Sequence, residues 1–219
     1  MSCPDLKLCG LTRPRDAAAA LAGGIAYAGV IRYPRSPRYV SPDEIPDLLD
    51  VIPRAMRVAV DVEPSVEQLY AYREEGFHCF QIHFRPEISR ARLESWSEAV
   101  GPDALWLAPR MPAEATELPE MWLPCADTWL IDTPSLHGFG GTGRTGDWTR
   151  FRRWREAHPE KRWALAGGLG PANLESAVRE AHPDIVDVSS GVEASPGVKD
   201  PAKLDALFAA LVDLRRTPT

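Results

Sequence analysis

Short apolar runs alternate with amphipathic stretches eight times along this chain of 219 residues. The apolar runs fall at 6–9, 26–31, 57–62, 79–83, 105–108, 128–131, 163–166 and 185–188. Most are short and largely apolar, as expected of strands buried on both faces of a parallel sheet. The stretches between them, at 14–22, 42–51, 65–75, 87–100, 112–121, 147–157, 171–181 and 201–214, read as helices. Several begin with proline at a first helical position, as in Ser41-Pro42, Gly170-Pro171 and Asp200-Pro201. Strand–helix units repeated in this way give right-handed crossovers and a parallel sheet. Eight of them favour an α/β fold closed as a single (β/α)8 (TIM) barrel with parallel strands over 1–219. An open dinucleotide-binding sheet would carry GxGxxG after its first strand. Here that position reads Cys9-Gly10-Leu11-Thr12. The weakest unit is 109–124, where Pro109, Pro112, Pro119 and Pro124 make a poor helix. Residues 215–219 read as a frayed tail.

A net charge of −6 argues against nucleic acid or an anionic membrane as partner. No apolar run approaches the roughly 18 residues of a membrane span. Met1-Ser2-Cys3-Pro4-Asp5 lacks the pattern of a secretory signal, so cytoplasmic residence is expected. Cys3, Cys9, Cys79 and Cys125 are widely spaced without CxxC, so no metal site is expected and the thiols stay reduced. A monomer and a homodimer are both compatible with the sequence.

In such a barrel, chemistry sits at the C-terminal ends of the strands, and a phosphate site is commonly built by the loops after strands seven and eight. Those loops read Ala166-Gly167-Gly168-Leu169 and Ser189-Ser190-Gly191-Val192-Glu193, and Gly140-Gly141-Thr142-Gly143-Arg144 follows strand six. Small residues let backbone N–H groups approach an anion. The strand ends also offer Cys9, Asp61, Gln81, His83 and Asp132. A thiol and a carboxylate on separate strands suit proton transfer on two sides of one small substrate, with no cofactor. Alternatively, Cys9 is a nucleophile with His83 or His137 as its base. Plainer readings stand beside these: Cys9 as a small buried hydrophobe and Asp132-Thr133-Pro134 as a turn.

The motifs Lys7-Leu8-Cys9-Gly10, Ser36-Pro37-Arg38-Tyr39, Gln81-Ile82-His83, Ile131-Asp132-Thr133, Gly140-Gly141-Thr142-Gly143, Ala166-Gly167-Gly168-Leu169 and Asp187-Val188-Ser189-Ser190-Gly191-Val192-Glu193 occur in this order. Together they make the chain resemble the phosphoribosylanthranilate isomerase family over almost its full length. The resemblance implies an Amadori rearrangement of a small phosphoribosyl substrate, without cofactor or metal. It implies Cys9 as general base, Asp132 as general acid, and Arg38 at the anthranilate end, with Gln81 and His83 also binding substrate. It gives the phosphate to Gly141, Thr142, Gly143, Gly167, Gly168, Ser190 and Gly191. A thiolate base implies a site that lowers the thiol pKa, and Lys7 lies on the same strand face as Cys9.

The chain departs from the family pattern at Arg32 and Asp61, where aromatic residues are usual, at Phe84, usually glycine, and at Gly146, usually phenylalanine. These positions are expected on the substrate-facing rim, with Arg32 and Asp61 forming an ion pair and Phe84 refilling part of the space left by the lost rings; the plainer reading is neutral drift in loops that face solvent. Two other readings are a related sugar-phosphate isomerase acting on an aminoimidazole ribotide and a phosphate-ligand binding protein without activity. The first of these typically has Asp on strand one, so Cys9 counts against it.

Overall fold

The computed structural model describes residues 3–112, 114–132 and 147–216. Eight parallel strands close in sequence order: β1 (Asp5–Cys9), β2 (Tyr27–Ile31), β3 (Arg57–Val62), β4 (Cys79–Phe84), β5 (Leu105–Pro109), β6 (Thr128–Asp132), β7 (Arg162–Ala166) and β8 (Ile185–Val188). The ring closes where β1 pairs with β8 in the register Lys7↔Asp187. Helices α1 (Pro14–Ala22), α2 (Ile45–Val51), α3 (Val66–Glu74), α4 (Arg90–Val100), α5 (Trp148–Ala157), α6 (Leu174–Ala181) and α7 (Pro201–Arg216) surround it. Ser65 caps α3 in a capping box with Gln68, and Asp147 caps α5 through the Arg150 N–H at 2.9 Å.

The proline-rich stretch after β5 forms no α-helix among the described residues. It carries a 3₁₀ segment, Glu120–Cys125, that contains Pro124. Helix α7 runs through Arg216, so residues 215 and 216 are helical rather than frayed.

Strand alternation divides the molecule into two apolar layers. Cys9, Val58, Val60, Cys79, Trp106, Leu130, Ala164 and Ile185 fill the barrel interior, while Leu6, Leu8, Val30, Ala59, Phe80, Ile82 and Val186 pack outward against the helices. This two-residue period also corrects the expectation for the unusual rim residues. Arg32 follows outward-facing Val30 by two, and Asp61 follows Ala59, so both point away from the interior and are buried beneath α3. They do not pair with each other. Arg32 Nη2 donates to Glu75 Oε1 at 3.0 Å, and its guanidinium lies 5.0 Å from the Tyr72 ring centre. Asp61 accepts from the Tyr72 hydroxyl at 2.7 Å and from the Val62 N–H at 2.7 Å. Burial raises the Asp61 pKa against these bonds, and burial together with the Asp61 bond pushes the Tyr72 hydroxyl well above its ordinary value. Phe84 also faces outward, edge-on to Trp122 at 5.3 Å and Trp96 at 6.2 Å. Its ring fills space between barrel and helices, while the residue also borders the mouth of the barrel. Gly146 lies outside the described residues.

Candidate active site

At the C-terminal mouth, a cavity of about 240 Å³ is lined by Cys9 from β1, Gln81 and His83 from β4, Asp132 from β6, Gly167 and Gly168 after β7, and Asp187 and Ser190 from β8 and its loop. It meets a wider opening of about 880 Å³ that shares His83 and Asp132 and adds Tyr33, Arg35, Arg85 and Arg110. The strand-end residues singled out in the sequence therefore converge, apart from outward-facing Asp61. Cys9 and Asp132 look into one space, with β8 and β7 between their strands.

Beneath Cys9 lies a buried ion pair, Lys7 Nζ to Asp187 Oδ1 at 2.9 Å. Burial opposes the Lys7 charge, but Asp187 overrides it and holds the ammonium above its ordinary pKa. For Cys9, burial is the largest influence and pushes the thiol up, with help from Asp187, while Lys7 and Lys199 pull it down. The expected lowering of the thiol is thus reversed in the free site. Lys7 acts in the anticipated direction but is outweighed by desolvation.

Asp132 stays accessible to solvent at the mouth, yet the surrounding protein strips enough water from its carboxyl to raise the pKa. Asp187 adds to that rise and Arg110 opposes it. A raised carboxyl retains a proton that it can donate. His83 is depressed to about 4 by burial and by Lys7, so it is neutral at pH 7. Its Nε2 lies 2.9 Å from Gln81 Nε2. With a neutral ring, the Gln81 amide donates to that nitrogen, and Nδ1 carries the imidazole proton. A neutral imidazole beside a buried ammonium is a poor partner for a thiolate–imidazolium pair.

Arg38 lies beside this cavity and does not line it. Its Nε and Nη2 donate to the Glu193 carboxylate at 2.6–3.1 Å. Glu193 also accepts from Lys199 Nζ at 3.1 Å, and the same ammonium donates to the Cys9 carbonyl at 2.6 Å. A Cβ on Gly10 would come within 2.7 Å of Arg38 Cδ and 3.1 Å of Ser189 Oγ. Gly10, at φ +71°, lets the arginine fold over the end of β1.

The two C-terminal glycine loops touch. A Cβ on Gly191 would sit 2.1 Å from the Leu169 carbonyl oxygen, so only glycine permits this backbone approach. Gly191 supports the cavity wall without lining it; Gly167, Gly168 and Ser190 reach the cavity. Gly141, Thr142, Gly143 and His137 lie outside the described residues.

Sequence reasoning passed over Asp187, Glu193 and Lys199 as site residues. For Asp187 a signal was present. It is the one charge within Ile185-Val186-Asp187-Val188, and a charge inside an apolar strand needs a charged partner nearby. Glu193 and Lys199 meet through a short hairpin of β9 (Glu193–Ser195) and β10 (Val198–Lys199), which periodicity does not reveal.

The sequence pattern of N-(5'-phosphoribosyl)anthranilate isomerases matches residues 6–210. The N-(5'-phosphoribosyl)anthranilate isomerase of Synechococcus elongatus is 36% identical over 211 residues, covering 94% of this chain and 95% of the relative. That of Syntrophus aciditrophicus is 34% identical over 211 residues, covering 94% and 86%. The crystal structure of phosphoribosyl anthranilate isomerase from Thermus thermophilus superposes with a TM-score of 0.76 at 31% identity, covering 96% of this chain and all of the other. A structure of such an enzyme with reduced 1-(o-carboxyphenylamino)-1-deoxyribulose 5-phosphate superposes with a TM-score of 0.74 at 26% identity, with 96% and 100% covered. Barrel, motif order and relatives agree: the chain belongs to the N-(5'-phosphoribosyl)anthranilate isomerase family.

Proposed function

We infer that this chain catalyses the Amadori rearrangement of N-(5'-phosphoribosyl)anthranilate to 1-(2-carboxyphenylamino)-1-deoxyribulose 5-phosphate in tryptophan biosynthesis, with Cys9 as base and Asp132 as acid. The observation that carries this reading is the opening of Cys9 and Asp132 into one cavity bounded by the Gly167–Gly168 and Ser190 loops. Asp132 protonates the ribose ring oxygen while the anilino nitrogen lone pair forms the C=N bond, and the C1–O bond breaks. The resulting iminium acidifies the C2 proton. Cys9, as thiolate, removes that proton, and the C–H electrons move into C1=C2 to neutralise the nitrogen. The enolamine then tautomerises to the ketone by losing its hydroxyl proton and gaining one at C1.

The raised thiol of Cys9 makes a stronger base once ionised, and the adjacent iminium favours that ionisation. Gly167, Gly168 and Ser190 hold the phosphate, and Gly141, Thr142 and Gly143, outside the described residues, are assigned to the same group. Glu193 occupies Nε and Nη2 of Arg38, leaving Nη1 for the aryl carboxylate. Gln81 and His83 bind the open-chain sugar between these ends. No step calls for a cofactor. Among the described residues, no helix is long and apolar enough to cross a membrane, in keeping with a cytoplasmic enzyme. Sedimentation of the purified chain distinguishes monomer from homodimer.

The test is turnover of the substrate by purified protein and complementation of a tryptophan auxotroph. Cys9→Ser and Asp132→Asn should each lower kcat by about 10²–10⁴-fold with a small change in KM. Full activity in both variants would overturn the assignment.

A further inference from the structure

Gly29 sits in the middle of β2 (Tyr27–Ile31), directly opposite Cys9 in the parallel register. Its φ is not positive, so its backbone is one that any residue adopts. A glycine inside a strand weakens it and commonly marks a close approach. Here the approach comes from two side chains at once. A Cβ on Gly29 would lie 3.0 Å from Cys9 Sγ, 3.0 Å from Lys7 Nζ and 3.1 Å from Cys9 Cα.

We propose that Gly29 is a positioning residue for the Cys9 base: the space left by its missing side chain is the slot in which the Lys7 ammonium and the Cys9 thiol meet. This rests on the reading of Cys9 as the base. Lys7 cannot reach substrate, because it is wholly buried and bonded to Asp187. Its ammonium acts on the thiol by charge and by hydrogen bonding, and charge acts strongly over a few ångströms in a dry interior. Any Cβ in the slot forces Nζ and Sγ back by some tenths of an ångström each. The other charged or titratable groups around the thiol are Asp187 from β8, Lys199 from β10, Arg38 from the loop after β2, His83 from β4 and Asp132 from β6. The three atoms nearest a Cβ on Gly29 all belong to Lys7 and Cys9.

The experiment follows Cys9 alkylation by iodoacetamide against pH, read by peptide mass spectrometry because Cys3, Cys79 and Cys125 are also free thiols. Gly29→Ala should raise the alkylation midpoint by about half a pH unit and lower kcat about threefold at pH 7, with KM within about twofold. Lys7→Met should raise the midpoint further, and Gly29→Ala added to Lys7→Met should shift it no more. An unmoved midpoint in folded Gly29→Ala, or an equal shift in the Lys7→Met background, overturns the proposal. If Gly29→Ala fails to fold, rescue by Lys7→Ala supports the slot, and failure in both backgrounds overturns it. Alkylation is independent of turnover. An active Cys9→Ser enzyme would therefore sink the base assignment separately from the slot.

Discussion

Lys7 and Asp187 form a 2.9 Å ion pair on the floor of the barrel, with the lysine wholly buried. The pair straddles the seam where β1 meets β8, so it ties the strand that carries Cys9 to the strand that leads into the Ser190–Gly191 loop. Removing one partner leaves a charge without water or counter-ion. Asp187→Ala should cost about 3–5 kcal/mol of stability, the usual penalty for breaking a buried pair. Urea denaturation midpoints check this.

Asp132 and Cys9, the proposed acid and base, both have raised pKa values in the free protein, and the proposed mechanism needs Asp132 protonated and Cys9 ionised. Because the base titrates above the acid, only a small, constant fraction is active between the two values. The fraction falls below the carboxyl value, where further protonation affects the thiol alone. It falls above the thiol value, where the carboxyl alone continues to lose protons. The profile of kcat/KM against pH should therefore be a broad plateau whose acid limb belongs to Asp132 and whose alkaline limb belongs to Cys9. Asp132→Glu should move the acid limb and leave the alkaline limb in place.

His83 is held neutral, with its pKa depressed from 6.5 to about 4. A base depressed on folding contributes stability that is fully present above its unfolded value and lost as pH falls toward the folded value. The window is therefore between about 6.5 and 4. Cavity water screens part of the effect, so about 2 kcal/mol is expected. Thermal melts of wild type and His83→Asn across this range should show the variant losing less stability on acidification.

Arg32 and Glu75 pair on the outer layer, and Arg32 Nε and Nη1 have no partner among the described residues. Glu75→Gln should destabilise by about 1–2 kcal/mol, since Glu75 is partly exposed and the orphaned arginine is buried. Arg32→Met combined with Glu75→Gln should recover part of that loss. Because this cluster faces the helices, kcat and KM should stay within about twofold of wild type. A large rise in KM would contradict the outward orientation.

Much of the fold was legible because a strand buried on both faces reads as an apolar run. The ends of β3 and β8 agree with the pattern, and α1 matches it at both ends. Among the described residues the α-helix expected over 112–121 did not form, because Pro112 and Pro119 within the span, flanked by Pro109 and Pro124, remove donors and crowd the preceding turn. Cys9, Gln81, His83, Asp132 and the paired glycine loops were legible for a related reason: strand ends at one barrel face must converge. Arg32 and Asp61 were misassigned to the rim, although counting by two from Val30 and Ala59 would have turned them outward.

By itself, the sequence determined the eightfold parallel barrel, the end that carries chemistry and the residues gathered there, because periodicity and strand polarity are local properties. Only the tertiary structure decided that Lys7 pairs with Asp187, that Glu193 holds Arg38, and that the Cys9 thiol is raised rather than lowered. Those outcomes depend on register across the closing seam, on a short hairpin and on how much water the closed barrel excludes. Each arises between residues far apart in the chain, where desolvation and charge compete at distances that no local pattern encodes.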